Sequence, residues 1–224
     1  MALWIQHTVP RMHCRGEAFL SDDVPCILAE TSTLFTRGVE CALYKWSPPP
    51  SWNKRIRGVA VVYHGFGAHS LYPTVRYASS LLAENGLLVY GLDLPGHGAS
   101  PGKRGLLTSV EDLIEDGIAV AEHASRDGGS DLPLFLVGSS MGGAIALAVA
   151  NRIPSLVSGV VMLAPMLSLN VGSVARTALG WLNTIAPLLP VIPSSATSPK
   201  LQYRDADRRA ECERNTLTYK GKLR

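Results

Sequence analysis

From Arg57 onward the apolar residues fall in short continuous runs, separated by segments with helical spacing. The runs are "RGVAVVYHG" (Arg57–Gly65), "LLVYGLDLPGHG" (Leu87–Gly98), "LPLFLVG" (Leu132–Gly138) and "VSGVVMLAP" (Val157–Pro165). Each is uniformly apolar rather than alternating, the pattern of strands covered on both faces. Between them lie three helical segments. "LYPTVRYASSLLAENG" (Leu71–Gly86) stops at Asn85-Gly86. "TSVEDLIEDGIAVAEHASRDGG" (Thr108–Gly129) is amphipathic. Thr108 or Ser109 is its N-cap, and the acids Glu111 and Asp112 suit the positive end of the helix dipole. "MGGAIALAVANRIP" (Met141–Pro154) is rich in small residues. The order β-α-β-α-β-α-β predicts an α/β fold, a mostly parallel sheet with helices on both faces. Ahead of it, "TLFTRGVECALYKWSP" (Thr33–Pro48) reads as two strands turning at Arg37-Gly38.

After Pro165 the pattern changes. "MLSLNVGSVARTALGWLNTIAPLLPVIPSSATSP" is apolar and broken by prolines, with Trp181, Leu182, Ile185, Leu188 and Leu189 on one side of a helical turn. No strand run follows it. The expected organisation is an irregular segment at 1–32, a core at 33–165 and an insertion at 166–224.

Charge adds little. The net charge is +3, and residues 1–199 carry 13 basic and 14 acidic side chains. The surplus lies in the last 25 residues, "KLQYRDADRRAECERNTLTYKGKLR", with 8 basic and 4 acidic side chains. Mixed signs of this kind read as a solvated helix face, not a nucleic-acid surface. Cys14, Cys26, Cys41 and Cys212 lie far apart, with no metal-ligand spacing. They read as free thiols of a reducing, intracellular compartment. The N-terminus has no signal-peptide core and no membrane-span length.

The candidate chemistry sits in Gly138-Ser139-Ser140-Met141-Gly142. The Gly-x-Ser-x-Gly spacing selects Ser140, between a strand and a small-residue helix. Glycine at positions 138 and 142 permits the tight turn that exposes such a serine. The Met141 N–H then lies at the helix N-terminus, where an oxyanion would form. "VVYHGFGAH" follows an earlier strand, and Gly65 and Gly67 flank Phe66, whose N–H is the second candidate donor. Removing one such donor elsewhere costs roughly 3–4 kcal/mol of transition-state stabilisation.

Three blocks carry a family resemblance: "HGFGAHS" (His64–Ser70), "GLDLPGHGASPGKRG" (Gly91–Gly105) and "GSSMGGAIAL" (Gly138–Leu147). They resemble the oxyanion loop, the Gly-His-Gly loop and the nucleophile elbow of α/β-hydrolases related to monoacylglycerol lipase and lysophospholipase. The tail "YRDADRRAECERNTLTYKGKLR" resembles the end of that family's cap. Ser139 stands where the family usually has histidine. The resemblance implies an α/β-hydrolase fold with a helical cap, no cofactor or metal, and a monoacylglycerol or similar lipid ester as substrate. With the free thiols and the N-terminal segment, the expected location is intracellular and cytoplasmic, with peripheral membrane contact through the cap. The stretch Trp181–Ile192 fits a lid over an acyl-chain tunnel, and equally an ordinary cap helix packed on the sheet.

The resemblance also implies a triad in the order serine, acid, histidine. Residues 141–224 contain no histidine, and their only acids are Asp205, Asp207, Glu211 and Glu213, which look like surface helix charges. The triad acid and histidine are therefore expected to be absent from this chain, with the last strands of the sheet missing and the chain a truncated product. His64 and His97 are expected to bond loop backbone. His69 and His123 are expected at the surface. The alternative to an active hydrolase is an inactive form or pseudo-hydrolase that binds lipid or a partner.

Overall fold

A computed structural model describes residues 27–167, 200 and 203–221. The expected lid segment around Trp181–Ile192 lies outside these residues, as does most of the expected irregular segment at 1–32. Six strands form one sheet: β1 (Glu30–Thr36), β2 (Val39–Trp46), β3 (Gly58–Tyr63), β4 (Leu87–Leu92), β5 (Leu134–Ser139) and β6 (Val157–Leu163). Among the described residues four helices accompany them: α1 (Pro73–Glu84), α2 (Val110–Gly128), α3 (Met141–Arg152) and α4 (Ala206–Arg214). The spatial order is β1-β2-β4-β3-β5-β6. β1 and β2 run antiparallel at one edge, while β4, β3, β5 and β6 are mutually parallel. β1 begins at Glu30, three residues ahead of the boundary expected at Thr33.

All six residues of β3 are buried, as a uniformly apolar run predicts for a central strand. Its side chains alternate between two apolar layers. Val59, Val61 and Tyr63 pack with Ile114 and Val120 of α2 and Ile145 and Val149 of α3. Ala60 and Val62 pack with Val75 and Ala83 of α1 and with Cys212 of α4. The period-two geometry of a strand thus feeds both faces of the sheet.

Local signals hold where the sequence placed them. Ser109 caps α2, its hydroxyl accepting from the Asp112 N–H at 3.0 Å. Arg37 and Gly38 form a two-residue hairpin loop with φ of +44° and +79°, the left-handed pair that suits the strand twist. Arg37 is not a glycine, and its side chain offsets the strain. It donates through Nε and Nη2 to both oxygens of the fully buried Asp116, at 2.9 and 2.7 Å, tying the hairpin to α2. The two buried described cysteines, Cys41 and Cys212, are free thiols.

The charged tail is less solvated than its composition predicts. Asp205 caps α4 and is exposed, but Cys212 on the inner side is fully buried and its Sγ lies 2.6 Å from the Tyr72 hydroxyl. Arg76 of α1 pairs with Glu211 at 2.9 Å. One small thiol among polar neighbours leaves almost no helical hydrophobic pattern to read.

Candidate active site

β5 delivers Ser140 to its C-terminal end, and α3 begins at the next residue. Ser140 has φ +55° and ψ −119°, backbone angles that side chains resist. The surroundings hold it there. Its N–H donates to the Leu163 carbonyl at 3.0 Å, and its carbonyl accepts from Met166 at 2.9 Å and from Gly143 at 3.0 Å. Ser140 itself is exposed while Met141 and Gly142 are buried. The two flanking glycines are steric necessities. A Cβ on Gly142 would collide with the Tyr63 carbonyl, and one on Gly138 would collide with the Gly142 carbonyl. The serine stands on a turn with no room for side chains beneath it.

The loop after β3 comes directly to this serine. A Cβ on Gly65 would lie 3.4 Å from Ser140 Cβ and 3.9 Å from its Oγ. Glycine there leaves the space beside the hydroxyl open, and Phe66 follows at once. The N–H groups of Met141 and Gly142 open α3, where the helix ladder supplies no acceptor for them. The structure therefore brings together Gly138, Ser140, Met141, Gly142 and the Phe66 loop, from the C-terminal ends of the adjacent parallel strands β3 and β5.

Three buried histidines surround that loop. His64 is 1% exposed, and its two ring nitrogens are committed. Nε2 lies 3.1 Å from the Leu94 N–H, which can only donate, so Nδ1 carries the proton and donates to the Gly65 carbonyl at 2.8 Å. Burial lowers its pKa further, against the pull of Asp93. His97 Nδ1 lies 3.2 Å from the Pro95 carbonyl, and burial lowers its pKa to about 3. Both bond loop backbone, as expected.

His69 departs from expectation. It is not at the surface but 1% exposed, its Nε2 3.2 Å from Asn215 Oδ1, and burial lowers its pKa to about 4. The residues after α4 cover it, a long-range contact that loop position could not reveal. His123 is half-buried, edge-on to Tyr90.

Asp93 lies in the Gly91–Gly105 block that carries the family resemblance, but the sequence assigned it no role. It is fully buried at the end of β4, and its carboxylate accepts from the Ser70 N–H at 2.6 Å and the Ala99 N–H at 2.8 Å. It staples the Phe66 loop to the Gly-His-Gly loop. An acid closing an apolar strand run was the available signal. Among the described residues no three His, Cys, Asp or Glu side chains are grouped to hold a metal ion.

A parallel sheet whose strand turns sharply into a helix at a strained, exposed serine, with a glycine loop beside it, defines an α/β-hydrolase. The chain belongs to the family described as "Serine aminopeptidase, S33", which matches residues 54–224. It is 30% identical over 191 residues to the monoacylglycerol lipase of Mycolicibacterium smegmatis, covering 83% of this chain and 64% of that protein. It is 32% identical over 142 residues to human monoglyceride lipase, covering 61% and 45%. The crystal structure of Paleococcus ferrophilus monoacylglycerol lipase superposes with a TM-score of 0.65 at 31% identity, covering 81% of this chain and 65% of that one. A soluble variant of Saccharomyces cerevisiae monoglyceride lipase shares the fold, with a TM-score of 0.74 over 89% of this chain and 65% of that one. The chain thus spans between 45% and 65% of the length of these relatives.

Proposed function

We propose that Ser140 is the nucleophile of a serine ester hydrolase acting on monoacylglycerols or similar single-chain lipid esters. The observation that carries this reading is the strained exposed Ser140 with the Gly65-Phe66 loop against its hydroxyl. In the reaction, Oγ attacks the ester carbonyl while a general base takes its proton. The N–H groups of Phe66 and Met141 hold the oxyanion. The alcohol leaves with the proton, and water then hydrolyses the acyl-serine. The similarity to monoacylglycerol lipases supports the substrate class. Peripheral membrane contact through the 166–224 segment is part of the same reading. No helix among the described residues is long and apolar enough to cross a membrane.

One observation favours a second reading, a non-catalytic form that binds lipid or a partner. His64, the histidine in the loop beside Ser140, is buried with both ring nitrogens engaged and is not free to take its proton. Without its base a triad enzyme retains only what the oxyanion hole and binding supply.

A fluorophosphonate probe separates the two. Labelling of the 224-residue chain that disappears in Ser140→Ala shows an activated serine. A folded chain that takes no label supports the non-catalytic reading. Short- and long-chain monoacyl esters then test the substrate class.

A further inference from the structure

The segment after α4 returns to the Phe66 loop and grips it at two points. The Tyr219 N–H donates to the Gly67 carbonyl at 2.8 Å. The Tyr219 ring meets Phe66 edge-on, with centroids 6.0 Å apart and planes at 85°. On its other contact Phe66 meets His97 edge-on at 5.7 Å and 80°. The Phe66 ring is thus held by two aromatic edges from different parts of the chain. Gly105 makes room for this: a Cβ there would collide with the Tyr219 ring.

The segment itself is anchored independently of Tyr219. Arg76 holds Glu211, Cys212 lies against Tyr72, and Asn215 Oδ1 meets both His69 Nε2 and the Leu217 N–H. Tyr219 is half-buried at the end of this strap.

We propose that Tyr219 is a positioning residue for the Phe66 N–H. The hydrogen bond to Gly67 fixes the peptide between Gly67 and Ala68, and the aromatic contact fixes the Phe66 side chain. Together they fix the direction of the amide between Gly65 and Phe66 beside Ser140. The proposal rests on the reading of Phe66 as an oxyanion donor. Its physical logic is preorganisation: a donor already aimed needs no reorganisation when charge develops, and small misplacements cost rate.

Two measurements on the full chain test it, one of them independent of reactivity. Hydrogen exchange across residues 64–70 is followed in wild type, Tyr219→Ala and Tyr219→Phe. Tyr219→Ala is expected to speed exchange there at least about tenfold with β3 and β5 unchanged, since loop opening is local. Fluorophosphonate labelling is followed by its rate constant, its probe affinity and its final extent. Both variants keep the backbone N–H, so the ring is what they compare: Tyr219→Ala is expected to lower the rate constant about tenfold at unchanged affinity and extent, and Tyr219→Phe, which keeps the ring, restores both readouts. Unchanged exchange at 64–70 in folded Tyr219→Ala overturns the proposal. So does a lower extent of labelling at an unchanged rate constant, the mark of a purely structural role. A folded wild type that takes no label overturns the function proposed for Ser140, while the exchange measurement still decides whether Tyr219 orders the loop.

Discussion

At Ser140 the chain passes from strand to helix within one residue, with φ at +55°. Such angles cost of order 1–3 kcal/mol for a residue with a side chain. Ser140→Gly is therefore expected to raise stability by about 1 kcal/mol while abolishing probe labelling. A shift of the urea midpoint to higher concentration, with no label taken up, is the signature. Gly142 predicts the reverse. Any Cβ there meets the Tyr63 carbonyl, so Gly142→Ala is expected to lose about 3 kcal/mol or more, since the central strand cannot move aside. Near-wild-type urea unfolding of that variant would contradict the elbow geometry. The spacing of the two glycines made this site legible in sequence, because a tight turn restricts residue type as strongly as it restricts angle. Asp93 was legible only as an acid after an apolar run. Its two N–H partners lie 23 residues back and 6 residues on, and no local pattern links them.

The elements followed their periodicities closely. β3, β4 and β5 read as continuous apolar runs because both faces are covered. α2 read as amphipathic because one face meets the sheet and the other meets water. α4 did not read as a packed helix, since a single buried thiol and the Arg76–Glu211 pair dock it. The hairpin of β1 and β2 was visible, but its attachment was not. Arg37 donates to Asp116, 79 residues away. Asp116 is fully buried but Arg37 only part-buried, and the Thr36 hydroxyl also donates to Asp116 at 2.8 Å. Arg37→Ala leaves a buried carboxylate without its cation and is expected to lose about 2 kcal/mol, below the roughly 3–5 kcal/mol of a fully buried pair. Arg152→Ala, which breaks the exposed pair with Glu111, is expected to leave the midpoint almost unchanged. Chemical denaturation of the two variants side by side checks the contrast.

Across the whole molecule, three neutral histidines are buried around the Phe66 loop. Their pKa values lie below the ordinary 6.5, at about 4 for His69 and about 3 for His97. The unfolded chain therefore takes up more protons than the folded chain as pH drops below 6.5. Their contribution is complete above that pH and declines from there down toward the folded values. Each histidine adds a slope of up to about 1.4 kcal/mol per pH unit. Stability measured by urea unfolding is expected to fall steeply between pH 6.5 and 4.5. A flat profile in that window would show that these rings are not buried and neutral.

By itself the sequence determined the order of strands and helices, the serine on its turn and the glycines beneath it, because these depend on residues within a few positions of one another. Tertiary structure decided what surrounds the serine: the burial of His69, the Asp93 staple, the docking of α4 and the grip of Tyr219 on the Phe66 loop. Those contacts join residues up to about 150 positions apart, through single polar or aromatic pairs that leave no period in the chain.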